Sequence, residues 1–162
     1  LIEKRLVVYQ PLRRRKRMIL PEYIAVAEVK RVCKELGISD WTKKKKAAVN
    51  TAEAKVLLAE VNKEKMAIDL EEFRKGLEVE LEHGLTFADA NVTNNHPVLT
   101  ALIVLAHFKE SLDYYRLLEV AEVEGDLVKA LAAGEPARIR KYYQKLAKAR
   151  IELNEAELKR LH

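Results

Sequence analysis

Apolar residues recur along this chain at three- and four-residue spacing, the period of a helix with one buried face. The alternation of a half-buried strand is absent. Ile24, Val26, Val29, Val32 and Leu36 mark a first helix, with Pro21 in its opening turn and Gly37 just past its end. Asn50 or Thr51 caps a second helix running to about Met66, with Val56, Leu57, Val61 and Met66 inward. Asp69, with Glu72 three residues on, opens a third, and Gly84 is its expected stop. Residues 85–96, rich in Asn, Asp and Thr, form a polar loop. Pro97 starts a fourth helix, apolar on nearly every side from Val98 to Phe108, hence central and buried, and running to about Val123. Gly125 and Gly134 bracket a short helix, Pro136 opens a last long one, and Asn154 is a candidate cap for a final turn.

These elements predict an all-α protein, a small bundle of four to six helices. Residues 1–20 precede it as an extended arm, interrupted by Pro11. Residues 21–123 form the expected bundle core, and 124–162 a C-terminal helical extension. Composition agrees, with 5 Gly and 4 Pro in 162 residues and abundant Ala, Leu, Glu and Lys. No apolar run reaches the ~18 residues that cross a bilayer. Cys33 is the single cysteine, so no internal disulfide is expected. With no secretory signal visible, these features predict a cytoplasmic protein without membrane contact, or a virion-associated one if it is viral.

Charge splits the chain in two. The net charge is +5, yet residues 1–17 alone hold seven Lys/Arg and one Glu. The rest is close to neutral, so the chain reads as a neutral body with a basic arm. Arg13, Arg14, Arg15, Lys16 and Arg17 are the candidates for contact with nucleic-acid phosphates, or for anchoring in a larger assembly. No zinc finger, RNA-recognition signature or helix-turn-helix accompanies them. Lys43–Lys46 and the scattered cations of the last helix read as solvated faces.

The candidate chemistry lies on two stripes. Gly76, Glu80 and His83 share one face of the third helix, and His107 and Glu110 one face of the fourth. Glu-x-x-His on two helices is a pattern of di-metal carboxylate bundles. Imidazole with carboxylate suits iron, zinc or manganese. Glu80, His83, His107 and Glu110 are therefore candidate ligands, with a further carboxylate such as Glu60 in reserve. The competing reading is plainer: His83 caps a helix dipole, and Glu80 and Glu110 are surface charges. His107 is the firmer anchor, because it interrupts an apolar run and its nitrogens need partners. Gly76 in mid-helix costs about 1 kcal/mol relative to alanine, which close approach of a neighbouring helix would explain.

Level counting raises an obstacle. In a tight antiparallel hairpin His83 faces residues near 98–101, and His107 lies roughly 9–13 Å farther along the axis at ~1.5 Å per residue. If the loop does not compensate, the two pairs meet only across an interface in a homo-oligomer. No nucleophile–base pair, phosphate-binding glycine loop or dinucleotide signature is present. The sequence assigns no reaction and leaves open whether the protein is an enzyme. The alternative is a non-enzymatic interaction protein of a nucleoprotein or viral assembly.

The segments DLEEFRKGLEVELEHG and NVTNNHPVLTALIVLAHFKESLDYYRLLE, within residues 69–119, resemble an uncharacterised family of small helical proteins found in microbial and phage genomes. Its pattern joins an E-L-E-H-G helix end, N-V-T-x-x-x-P-x-L-T, and A-L-A-H followed by E-x-x-D-Y-Y. The likeness extends faintly to KELGISDW. The segment 43–66, the tail after 120 and the basic arm depart from it. The resemblance implies no activity. It marks Glu80, His83, Asn91, Thr93, Asn94, His107, Glu110, Asp113, Tyr114 and Tyr115 as the family's polar positions. For the three loop residues, turn and capping chemistry is the expected role. For the two tyrosines it is packing.

Overall fold

A computed structural model describes residues 24–161 of the chain. The arm, with Arg13–Arg17, lies outside the described residues. Among those described there are six α-helices and no strand: α1 (Val26–Glu35), α2 (Thr51–Val61), α3 (Leu70–Thr86), α4 (Pro97–Glu110), α5 (Tyr114–Ala132) and α6 (Pro136–Leu161). Among the described residues no helix is long and apolar enough to cross a membrane.

Local chemistry sets most of the ends. Gly37, at φ 66°, closes α1 with paired reverse hydrogen bonds, Ile38 N to Cys33 O and Gly37 N to Lys34 O. The Asp40 carboxylate accepts from Thr42 N and starts a single 3-10 turn, Trp41–Lys43, which drops Trp41 into the core. Asn50 and Glu53 form a reciprocal capping box at α2. Asp69 accepts from Glu71 N and Glu72 N at the start of α3. Pro97 stands at the first turn of α4, behind an unforeseen cap: His96 Nδ1 accepts from Leu99 N at 3.3 Å.

Several expected boundaries are corrected. The second helix stops at Val61, not Met66, because the Asn62 amide bonds both Met66 N and Met66 O at 2.9 Å and imitates a turn. Val56 faces solvent rather than the core. The third helix runs through Gly84 to Thr86, so Gly84 is not a stop. The fourth does not reach Val123. Ser111 is extended (φ −156°, ψ 133°), its hydroxyl accepts from Asp113 N, and the chain turns before restarting as α5. α5 passes unbroken through Gly125, so no separate short helix exists. α6 is one 26-residue helix, and Asn154 caps nothing.

The core forms where α1 to α4 and the start of α5 converge. Val29, Cys33, Trp41, Leu57, Phe73, Leu77, Leu81 and Val104 are buried there, and Phe108 lies 6.4 Å from Phe73 between ring centres. α5 and α6 form a long antiparallel hairpin. α6 packs along α5 and stands off α3, leaving a cleft of about 660 Å³ walled by Glu78, Glu82, Glu122 and Lys145 among others.

Candidate functional site

Three contacts fix how α3 and α4 lie together: Phe73 with Phe108, Gly76 with Val104, and Gly84 with Asn95. The pair is antiparallel, and at Gly76 the neighbouring side chains come close to the α3 backbone. A Cβ there would sit 2.5 Å from the Tyr115 ring and 2.8 Å from Val104 Cγ1, so only glycine fits. A Cβ on Gly84 would lie 2.0 Å from Asn95 Oδ1, because the loop after α3 folds back onto the helix. Both mid-helix glycines are thus explained by neighbours.

With Gly76 making room, Tyr115 crosses α3 and donates its hydroxyl to Glu80 Oε1 at 3.1 Å. Burial, and then the Glu80 charge, push the Tyr115 pKa far up, so the phenol remains a donor. The same Glu80 oxygen lies 3.5 Å from His107 Nε2, and Glu80 Oε2 lies 3.6 Å from His83 Nδ1. On the other side of the ring, His107 Nδ1 is 3.9 Å from Glu110 Oε2. Tyr114 stacks on the imidazole, with ring centres 4.0 Å apart and planes 10° apart, and the Tyr115 ring meets it nearly edge-on at 6.0 Å.

All four candidate residues therefore meet within one chain, despite the level count. Each helical side chain leans toward the N-terminus of its own helix. In an antiparallel pair those leans oppose, so Glu80 and His107 bend toward each other and close the axial gap. No second copy is needed to bring them together.

Their arrangement is a row, His83–Glu80–His107–Glu110. The two oxygens of Glu80 face different imidazoles, and the two nitrogens of His107 face different carboxylates. The four do not aim at a common point, and no group of three or more His, Cys, Asp or Glu among the described residues could hold a metal ion. No site formed by the four expected ligands for iron, zinc or manganese is seen among the described residues. Glu60, the reserve carboxylate, is exposed on α2 and paired with Lys63 at 3.6 Å.

Exposure grades the row. Glu80 is 14% exposed and His107 26%, whereas His83 is 57% and Glu110 70%. The inner pair is largely enclosed, and the outer two face solvent. His107 Nδ1 is buried without any hydrogen-bond partner, a state shared among the described residues only by Trp41 Nε1.

The other marked positions follow their plain roles. Asn91 donates to Gly84 O at 3.1 Å and to Asn95 Oδ1 at 3.0 Å, Thr93 bonds Asn91, and Asn94 donates to Ile24 O at 3.0 Å. Asn94 and Asn95 take left-handed conformations (φ 51° and 56°). Tyr115 is core, as its packing role requires, but its bond to Glu80 adds a part that sequence reading missed. Also unforeseen is a buried ionic group: Glu72 pairs with Arg116 at 3.1 Å and Lys75 at 3.1 Å, and Asp113 pairs with Arg116 and Arg160. The only hint of it in the sequence is Asp113 among the family's marked positions.

No curated protein and no solved structure matches the chain. Residues 29–124 match DUF5661, described as a protein of unknown function, and this span holds the whole of the Glu80–His107 site. The chain belongs to that family.

Proposed function

We propose that this domain works through a carboxylate-held imidazole. Glu80 holds the His107 ring by its Nε2–H, and the Nδ1 lone pair is the working atom, accepting a proton or a hydrogen bond from a bound molecule. One observation carries this reading: Nδ1 is buried without a hydrogen-bond partner, while Nε2 lies 3.5 Å from Glu80 and the ring packs against Tyr114 and Tyr115. Such an atom costs about 1–3 kcal/mol, and folds rarely retain that cost without use. The carboxylate–imidazole pair is the oriented base of many acid–base sites. Glu110, exposed and adjacent, is placed to admit or cover the ligand. The pair offers a base and no nucleophile, so the reading ends at proton or hydrogen-bond acceptance. Nucleic-acid contact through Arg13–Arg17 rests on those residues alone, all outside the described part of the chain.

Long-range ¹⁵N–¹H NMR of the His107 ring tests the proposal. The Nε2–H tautomer is expected, and Glu80→Ala should abolish its preference. A ring found as Nδ1–H, or unmoved by Glu80→Ala, sinks it. Stoichiometric iron, zinc or manganese in purified protein, lost in His107→Ala, would replace it with a metal-binding reading.

A further inference from the structure

The hairpin of α5 and α6 carries an apolar face that nothing among the described residues covers. On α5, Leu117, Ala121, Glu124, Val128 and Leu131 follow one another at spacings of four and three. On α6, Tyr143, Ala147, Ile151, Asn154, Leu158 and Leu161 do the same. This is the period of a helix–helix seam, yet Leu131 is 55% exposed, Tyr143 66%, Ile151 57% and Leu158 55%. The residues by which α6 packs on α5, Leu146, Ala149 and Leu153, form a separate stripe. Among the described residues α6 thus has two apolar stripes and one partner.

Both outer stripes open on the same side. The Arg150–Glu124 ion pair joins the helices there, which places Tyr143 beside Leu131 and Leu158 beside Leu117 in an antiparallel hairpin. The opposite side, with Leu118, Glu122, Lys145 and Glu152, faces the cleft toward α3. The outer face therefore points away from the Glu80–His107 site, and α6 lies beyond the residues matched by the family.

We propose that this face is the interface between two copies of the chain, which join their hairpins into a four-helix bundle with the two α6 helices antiparallel. The face is self-complementary. A two-fold axis near Ile151 lays the apolar stripe of each α6 along that of the other. The charge within the face is already neutral, because Glu124 and Arg150 pair with each other. Size agrees as well. α5 is roughly 28 Å long at ~1.5 Å per residue and two helices present a strip about 20 Å wide, so the outline is roughly 550 Å² before the overhang of α6. Side-chain relief brings this toward the ~800 Å² per partner of a stable interface.

Light scattering on the full chain across the micromolar range, with circular dichroism, tests the proposal. Twice the chain mass is expected for the natural sequence. The double variant Ile151→Glu/Leu158→Glu should be monomeric with unchanged helicity. An Ile151→Cys variant should form a disulfide between copies on mild oxidation, and Lys141→Cys should not. Cys33 is buried and does not compete. A monomeric natural chain overturns the proposal. A double variant that stays dimeric, or a preference for the Lys141→Cys bridge, overturns it too.

Discussion

The bundle of α1 to α4 and the hairpin of α5 and α6 use similar residues in opposite ways. In the bundle, Leu57, Leu77 and Leu81 are wholly buried, and even glycines are fixed by contact. In the hairpin, Val128, Leu131, Ile151 and Leu158 stand in solvent, and a Cβ on Gly125 would meet nothing within 4 Å. The first region satisfies its apolar surface within the chain. The second satisfies one helix with the other and leaves a face over. Helical periodicity alone does not separate these cases, because it reports that a stripe exists and not what covers it.

The sharpest way to break the comparison is to truncate a leucine in each region. Leu77→Ala should cost about 2–5 kcal/mol in urea unfolding, the range for a buried leucine. Leu158→Ala should stay within about 0.5 kcal/mol when measured on monomer, as for exposed sites. Equal costs would mean that the hairpin face is covered in the monomer after all. Gly76→Ala comes next. Overpacking against Tyr115 and Val104 should cost about 1–3 kcal/mol, and the Tyr115–Glu80 bond should be displaced, visible as a shift of the Tyr115 ring resonances. An unperturbed Tyr115 would show that the helices can part without loss.

The smallest effect concerns pH. Burial holds the His96 pKa below its ordinary value, with the nearby Glu28 opposing and Arg31 assisting. Its folded pKa lies below the unfolded one, so the stability it contributes is complete above the unfolded value of about 6.5 and is lost as pH falls through the folded value. Protonation also removes the Nδ1 acceptor that caps α4. Stability should therefore decline modestly from pH 7 toward 5, and His96→Asn, which keeps a capping acceptor, should flatten that slope. A slope unchanged in His96→Asn would assign it to another group.

Three helix starts were legible because their signals are local: Asn50, Asp69 and Pro97 act on backbone groups within a turn. The first was not, since α1 begins at Val26 behind an uncapped Ala25 rather than in a turn opened by Pro21, which lies outside the described residues. Gly37 was legible as a stop for the same reason. Gly84 and Gly125 were not, since glycine ends a helix only where the chain takes a left-handed turn, and here the neighbours decide. The break at Ser111 carries no glycine or proline, and a serine between Glu110 and Leu112 looks like any other residue of a continuing helix. At the site, the stripes of Glu80, His83, His107 and Glu110 were readable from spacing. Their meeting was not, because counting along helix axes ignores the lean of side chains. The row rather than a cage was also invisible, since it depends on which oxygen faces which ring. Tyr115 could be read as core but not as the donor to Glu80, which needs the gap left by Gly76.

The burial of Trp41 has a practical consequence. It is the single tryptophan of the chain, wholly enclosed among α1 to α4, and its ring nitrogen has no partner. Its fluorescence is therefore an optical label confined to one of the two regions. Emission follows the melting of the bundle alone, while far-ultraviolet dichroism follows every helix. The gap between the two curves measures directly whether the hairpin stands or falls with the body that carries it.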